Sequence, residues 1–459
     1  MGFRLIRRSR SQPSPPESPG ALILGGAHGS LAVARSLGRR GIPVVYLTHD
    51  HPIAGFSRYT TRHLGWPGPD DPNASAWLMD LATQHNLRGW VLFPGGDSEV
   101  RLIAQNHRAL ASVFRLTTPP WAAVRWALDK RLTHQHAASA GVDSPWSFYP
   151  RGRDDVARGD SPFPVILKPI VRASRNAFTD AKAWRADDLP ALLARYDEAA
   201  ALVEPSAIGL QELIPGGGEA QFSYAAVWAD GAPVAWLVAR RTRQYPIDFG
   251  FTSTYVETVE RPEVQAAACR FLAPLAFSGM VEIEFKFDAR DGRHKLLDVN
   301  MRPWTWIALG AAAGVDFPFV QWQVAQGRSV ASAVGRPGVA WTHVSRDAAA
   351  AVSHIASGAL SLRSYWRSLR RPTAYAAYAS DDLIPGLIDL PLVAARLATR
   401  FCRKSARSFP QPQRPNGKVA HLTSFARSAS GGFPFTASSV THEETGDRAQ
   451  LKYRRNFFG

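Results

Sequence analysis

Behind a polar, Pro- and Ser-rich start, the first sustained apolar run is Ala21-Leu22-Ile23-Leu24, which ends in Gly25-Gly26 and passes into a helical pattern through Arg40. A short apolar run closed by glycines predicts a buried strand. Ile42 to Leu47 reads as the next strand. Trp90 to Phe93 reads as a third, closing in Pro94-Gly95-Gly96-Asp97 ahead of another helical pattern. Strands and helices alternating at this spacing build parallel sheets, with functional loops at the strand C-termini. The expectation is a βαβ domain over residues 20–120 behind a disordered leader at 1–19.

Pro119-Pro120 punctuates the chain, and the pattern from Trp121 to Ala140 predicts one helix ending at Gly141. β-branched and aromatic enrichment then predicts strands at Phe163–Lys168, Gln221–Trp228, Val234–Arg240, Met280–Phe287 and Lys295–Val299, with helices over 187–200 and 262–276. This α+β region, 121–345, divides into subdomains at 121–205 and 206–345. Beyond it the pattern turns helical over 346–410, and the Ser-, Gly- and Pro-rich stretch 411–459 lacks the apolar density to fold. The chain shows no internal repeat.

Composition adds exclusions. With 45 % hydrophobic residues over 459 positions, the chain suits a globular protein of two or three domains, and collagen-like, coiled-coil and wholly disordered readings fall. No run reaches the ~18 apolar residues of a membrane span, and the first residues pass from Arg to Pro without an apolar signal core. Cys269 and Cys402, 133 positions apart, suit neither a disulfide framework nor a zinc motif, so a reducing, cytoplasmic location is expected. The formal charge of +16 raises nucleic acid as a partner, yet residues 1–20 carry +3 of it and residues 361–459 carry +10. Only +3 remains for the 340 residues between, where a nucleic-acid enzyme would carry its basic stripe, so nucleic acid is not expected as a partner.

Candidate chemistry sharpens the picture further. The Gly25–Ser30 turn offers helix N-terminal N–H groups to an anion, but its spacing is not the G-x-G-x-x-G of a dinucleotide fingerprint, so a substrate-binding or structural turn is expected. His49-Asp50-His51 and His134-Gln135-His136 look like metal pairs, but the second reads as surface, since residues two apart on a helix face different ways, and the first as a chance cluster in a loop. G-x-S-x-G is absent, which removes the nucleophile-elbow hydrolases. The informative residues run from 129 to 302. Lys130 follows Asp129, and Lys168 closes a strand before Pro169, a position from which an ammonium can meet a nucleotide phosphate. Glu284 on one strand, with Asp298 and Asn300 two apart on the next, can project to one side of a hairpin. Three oxygen donors converging there suit Mg²⁺.

That order of lysines, Gln-Glu segment, Arg cluster and acidic hairpin resembles the ATP-grasp superfamily, and within it the predicted carboxylate–amine ligases, the branch that includes D-aspartate ligase. The matching stretches are Asp129-Lys130, Phe163 to Pro169, Leu210-Gln-Glu-Leu-Ile-Pro-Gly216, Arg240 to Pro246, and Gly279 to Asp288 running on to Leu297-Asp-Val-Asn-Met-Arg-Pro303. These stretches lie between Asp129 and Pro303, and the resemblance as a whole covers about residues 20–345. The resemblance implies an α/β and α+β architecture: a pre-ATP-grasp βαβ domain, a two-subdomain ATP-grasp fold and, here, a C-terminal helical extension.

It also implies roles. Lys130 and Lys168 are similar to the two ATP-phosphate lysines, and Gln211, Glu212 and Leu213 lie where the interdomain hinge contacts adenine. Glu219 is placed like the ribose-binding acid. Glu284, Asp298 and Asn300 match the metal ligands, Arg302 matches an arginine near the transferred phosphate, and Arg241 or Arg243 would bind the phosphate or acyl phosphate. Two departures stand out. Asp298 replaces the usual Glu of a Glu-x-Asn motif and is one methylene shorter, and the loop after Lys168 carries Arg172 and Arg175 in place of glycines. The implied activity is an ATP- and Mg²⁺-dependent (or Mn²⁺-dependent) ligase that joins a small-molecule carboxylate to an amine. Formyl- or carboxyl-transferring relatives, or a non-catalytic ATP-binding regulator, share the same motifs.

Overall fold

The computed structural model describes residues 19–170, 176–181, 183–245 and 252–394. The expectations for the leader up to residue 18, for Arg172 and Arg175, for Cys402 and for the tail at 411–459 lie outside the described residues.

The unbroken apolar run at the start of the chain is explained by its neighbours. Strands β1 (Ala21–Leu24), β2 (Val44–Thr48), β3 (Arg62–Gly65), β4 (Val91–Pro94) and β5 (Arg115–Leu116) form a parallel sheet in the order β3-β2-β1-β4-β5. β1 is central and covered on both faces, so every residue in it is buried. The edge strands β3 and β5 escape the sequence pattern because exposure along β3 leaves no apolar alternation to see.

A second sheet of four strands, in the order β6-β9-β7-β8, comprises β6 (Ser147–Phe148), β7 (Val165–Pro169), β8 (Trp184–Ala186) and β9 (Ile208–Glu212). Helix Leu189–Ala200, started by the Asp188 side chain accepting from the Ala191 N–H, packs on it through Leu192, Tyr196 and Ala199. The third and largest sheet runs β14-β13-β10-β11-β12-β16-β17, with β15 (Ala333–Val334) beside β11. Its strands are β10 (Gln221–Ala229), β11 (Ala232–Tyr245), β12 (Thr252–Thr258), β13 (Gly279–Asp288), β14 (Arg293–Asn300), β16 (Ala340–Thr342) and β17 (Pro372–Tyr375).

Two-residue alternation sorts β13. Val281, Ile283 and Phe285 enter a core shared with helices Trp121–Leu128 and Pro262–Leu272, and Glu282, Glu284 and Lys286 therefore take the opposite face. In β14 the register slips by one residue at Leu297, since Glu284 faces Asp298 while Phe285 faces Leu296. Leu296 and Val299 consequently share the core face, and Asp298 and Asn300 stand opposite Glu284 and Glu282.

Two expectations are corrected. The single helix over 121–140 is two helices, Trp121–Leu128 and Lys130–Ser139, broken at Asp129, whose extended backbone lets its carboxylate accept from the Arg131 N–H. The break sets Lys130 at a helix start. The extension over 346–410 is not wholly helical: after helices Val344–Ala356 and Leu362–Ser368, β17 pairs in parallel with β16, and helix resumes over 383–394. No helix among the described residues is long and apolar enough to cross a membrane.

Gly29 joins the first sheet to the site. A Cβ there would lie 2.7 Å from the Pro303 carbonyl oxygen, so only glycine lets helix His28–Gly38 meet the chain just past Arg302. Trp304, Trp306 and Phe317 pack beneath that contact in the core that β1, β10 and β11 share.

Candidate active site

The cleft-facing side chains of β13 and β14 border a cavity of about 420 Å³, whose other walls come from His49, Asp50, Asp97, Glu99, Lys130, Lys168, Arg241, Arg302 and the two tryptophans. Lys130 Nζ lies 2.9 Å from Asp298 Oδ1. Arg241 donates to Glu284 Oε1 and to Gln221 Oε1, each at 2.9 Å. Asn300 donates to Glu282 Oε2 at 3.2 Å, and Trp306 donates to Glu282 Oε1 at 3.0 Å. Arg302 bridges the two halves, donating to Asn300 Oδ1 at 3.2 Å and to Asp97 Oδ1 at 2.8 Å.

Charge is crowded here. Burial, and then the neighbouring Glu284 carboxylate, push the Glu282 carboxyl up to about 7. Burial, with help from Asp50 and Asp97, does the same to Glu99, also about 7. Burial opposes the charge on Arg241, but Glu284 and Glu282 outweigh it and hold the guanidinium above its ordinary value. Two adjacent carboxylates whose repulsion is visible in this way, beside Asp298 and an amide oxygen, are the hard-donor set that a divalent cation satisfies.

A second depression shares Lys168, Glu284 and Asp298 with the first and continues past Gln211, Glu212, Leu213 and Ile214. Lys168 Nζ donates to Gln211 Oε1 at 2.5 Å. Lys286 donates to the Ile214 and Gly216 carbonyls at 2.8 and 2.7 Å, tying the segment after β9 to the large sheet. The Glu212 carboxylate faces away into an ion network with Lys295 and Arg290, at 3.0 and 2.6 Å.

Not every residue singled out from the sequence joins this cleft. Glu219 lines a separate depression with Asp143, Arg240 and Arg261, and its carboxylate accepts from the Gly217 N–H at 2.8 Å. Arg243 points elsewhere: it is a buried, bidentate partner of Asp347 at 2.9 and 2.7 Å, with the Tyr255 ring 4.2 Å from its guanidinium carbon. The two arginines, two apart on β11, do not share a face because the ladder slips at Thr242, so that Arg241 opposes Val256 and Arg243 opposes Tyr255. His134 is not at the surface but hydrogen-bonds Tyr149 Oη at 2.7 Å, and His136 reaches the Phe271 carbonyl. The Gly25–Ser30 turn is closed on itself, with Ser30 donating to the Gly25 carbonyl at 2.7 Å. A Cβ on Gly25 would stand 2.6 Å from a Glu99 oxygen, and an acid in that place opposes an anion.

Glu282, Trp306 and Asp97 are cleft residues beyond those the sequence reading placed there. Glu282 carried a signal, since the spacing Glu282-Ile283-Glu284 puts both acids on one strand face. Asp97 carried only the general signal of a glycine loop closing a strand, and Trp306, in a turn after β14, carried none.

No protein-family model matches the sequence, and no curated protein matches it at a significant level. Solved structures do. The fold is the ATP-grasp fold. An L-amino acid ligase from Bacillus licheniformis superposes with a TM-score of 0.52 at 14 % identity, over 67 % of this chain and 74 % of that one. N5-carboxyaminoimidazole synthetase from Staphylococcus aureus gives 0.53 at 13 % over 69 % and 79 %, and a biotin carboxylase–beta-gamma-ATP complex from Campylobacter jejuni gives 0.54 at 13 % over 68 % and 72 %.

Proposed function

We propose that this chain is a cytoplasmic, ATP- and Mg²⁺-dependent ligase that activates a small-molecule carboxylate and joins it to an amine. The observation that carries this reading is the convergence of Lys130, Lys168, Arg241 and Arg302 on a cleft floored by Glu282, Glu284, Asp298 and Asn300. Lys130 and Lys168 would bind the ATP phosphates, and the segment Gln211–Leu213 would flank the base. Glu284, Asp298 and Asn300 would hold Mg²⁺, which supplies charge neutralisation at the phosphates.

A carboxylate is a poor acyl donor because oxide is a poor leaving group. Attack of its oxygen on the γ-phosphorus, with loss of ADP, gives an acyl phosphate. The amine nitrogen then bonds the acyl carbon, inorganic phosphate leaves, and the nitrogen gives up a proton. Phosphoryl transfer of this kind requires positioning and charge compensation rather than covalent help. Arg302, oriented by Asp97 and Asn300, and Arg241, oriented by Glu284 and Gln221, present guanidinium groups for that purpose. Glu99 lines the same cleft, burial pushes its carboxyl up to about 7, and it would serve as the base for the amine proton.

The test is ADP release by the purified chain with Mg²⁺ and ATP against panels of carboxylates and amines, followed by mass spectrometry of the product. Acceptor-stimulated ADP release and an amide product support the ligase. A formylated or carboxylated product would replace it with a group-transferring enzyme, and no stimulated release across a broad panel would leave an ATP-binding regulator.

A further inference from the structure

Three side chains unused by the cleft meet elsewhere. His28 opens helix His28–Gly38, His343 follows β16, and Asp389 lies in the helical segment 383–394. All three are buried, His343 completely (0 % exposed). His28 Nε2 lies 2.8 Å from Asp389 Oδ1 and His343 Nδ1 lies 3.8 Å from Asp389 Oδ2. The two imidazole rings stand edge to face with centroids 4.4 Å apart. One nitrogen of each ring and one carboxylate oxygen fall within 4.8 Å of one another, and among the described residues no other trio of His, Cys or carboxylate groups does so. Ser345 adds a hydroxyl oxygen 2.8 Å from Asp389 Oδ2 and 3.2 Å from His343 Nδ1.

The geometry suits a small tetrahedral cation. Ligand atoms 2.0–2.2 Å from zinc at tetrahedral angles stand about 3.4 Å apart; here each imidazole nitrogen meets a different oxygen of Asp389, at 2.8 and 3.8 Å. His343 Nδ1 is the nitrogen that faces Asp389 and Ser345, and the other nitrogen of this buried ring, Nε2, has no hydrogen-bond partner. Two nitrogens and one carboxylate favour Zn²⁺ over Mg²⁺, which takes oxygen. Burial on all sides fits a structural ion rather than a catalytic one.

We propose that His28, His343 and Asp389 form a structural zinc site, with Ser345 Oγ or a water in the fourth position, that fastens the helical segment 383–394 to the first domain. The residues come from positions 28, 343 and 389, so one ion cross-links the βαβ domain, the edge of the large sheet and the extension. The site is independent of the ligase reading.

The test is metal retention by the full-length chain. Protein exposed to Zn²⁺ in excess Mg²⁺, so that the cleft carboxylates are occupied by the harder ion, is dialysed and its metal content measured. Co²⁺ loading gives a spectroscopic copy. One retained Zn²⁺ per chain, the intense visible absorption of tetrahedral Co²⁺ and an unfolding midpoint above that of the stripped protein are expected, all lost in His343→Ala. If that variant does not fold, His343→Gln and His28→Gln, which keep size and polarity, serve instead. Zinc far below one per wild-type chain, or equal retention in a folded variant, would overturn the proposal.

Discussion

Two strands of the same sheet slip in register beside a pair of charged or polar residues, and these two slips have opposite effects. In β14 the extra residue Leu297 sends Leu296 and Val299 into the core together and brings Asp298 and Asn300 round to the face of Glu284 and Glu282. In β11 the extra residue Thr242 separates Arg241 from Arg243, because their partners Val256 and Tyr255 are neighbours that face opposite ways. One slip gathers charge into a cleft; the other divides a pair of arginines between cleft and core. The two resulting ion pairs differ accordingly. Arg243 and Asp347 are closed off, with Thr254 donating to the same carboxylate at 2.8 Å and two tyrosine rings near the guanidinium. Arg241 and Glu284 sit beside a second carboxyl, Glu282, which burial and the Glu284 charge push up to about 7. A buried pair with every group satisfied reads as structure, and one beside unbalanced charge reads as a binding site.

Breaking the closed pair should cost most. Arg243→Ala or Asp347→Ala leaves a buried charge alone, and denaturant unfolding should show a loss of about 3–5 kcal/mol, while Arg243→Met combined with Asp347→Leu should recover much of it. If the single variants unfold like wild type, the pair is not closed as described. The open site should respond in turnover rather than stability. Asp298→Ala should lower ADP formation by about 10²–10³-fold with an unfolding midpoint near wild type, and Asp298→Glu should retain more activity than Asp298→Asn. Full turnover in Asp298→Ala would remove the metal assignment.

A smaller effect is expected at the phosphate lysine. Lys168→Met keeps the aliphatic stem and deletes the charge, so ATP affinity measured by calorimetry should fall by roughly 1.5–3 kcal/mol, the worth of a charged hydrogen bond. Unchanged affinity would place the phosphates elsewhere. The smallest effect is a pH dependence. Glu282 has an ordinary value of 4.5 and is held at about 7 in the fold, so between those values the folded state binds more protons than the unfolded one. Without Mg²⁺, stability should therefore fall as pH rises from 4.5 through 7. Glu99 contributes in the same direction, and Glu282→Gln should flatten only part of the fall. Thermal unfolding at pH 5 and pH 8 checks this, and an unchanged slope in the variant would show that Glu282 is not the strained acid.

Much of this was legible in the chain itself. The apolar run at Ala21–Leu24, the alternation through Met280–Phe287 and the order of Lys130, Lys168, Glu284, Asp298 and Asn300 are local patterns. A buried strand and a half-buried strand leave such marks wherever they occur. Glu282 was within reach of the same period-two argument. The helix break at Asp129 was nearly so, because a capping aspartate is a local signal that the surrounding apolar spacing masked.

What the sequence could not decide were matters of pairing. Whether Arg243 shares a face with Arg241 depends on which residue of β12 each one meets, and no spacing within β11 encodes that. β17 is a strand because the edge of β16 is there to receive four residues that carry no strand pattern strong enough to announce it. The meeting of His28, His343 and Asp389 depends on three separate elements, one of them hundreds of residues from the other two, arriving at one place. Local composition and period determined the elements and the candidate chemistry, since those follow from short-range sterics and burial. Which side chains became neighbours was settled by registers and packing that exist only once the chain has folded.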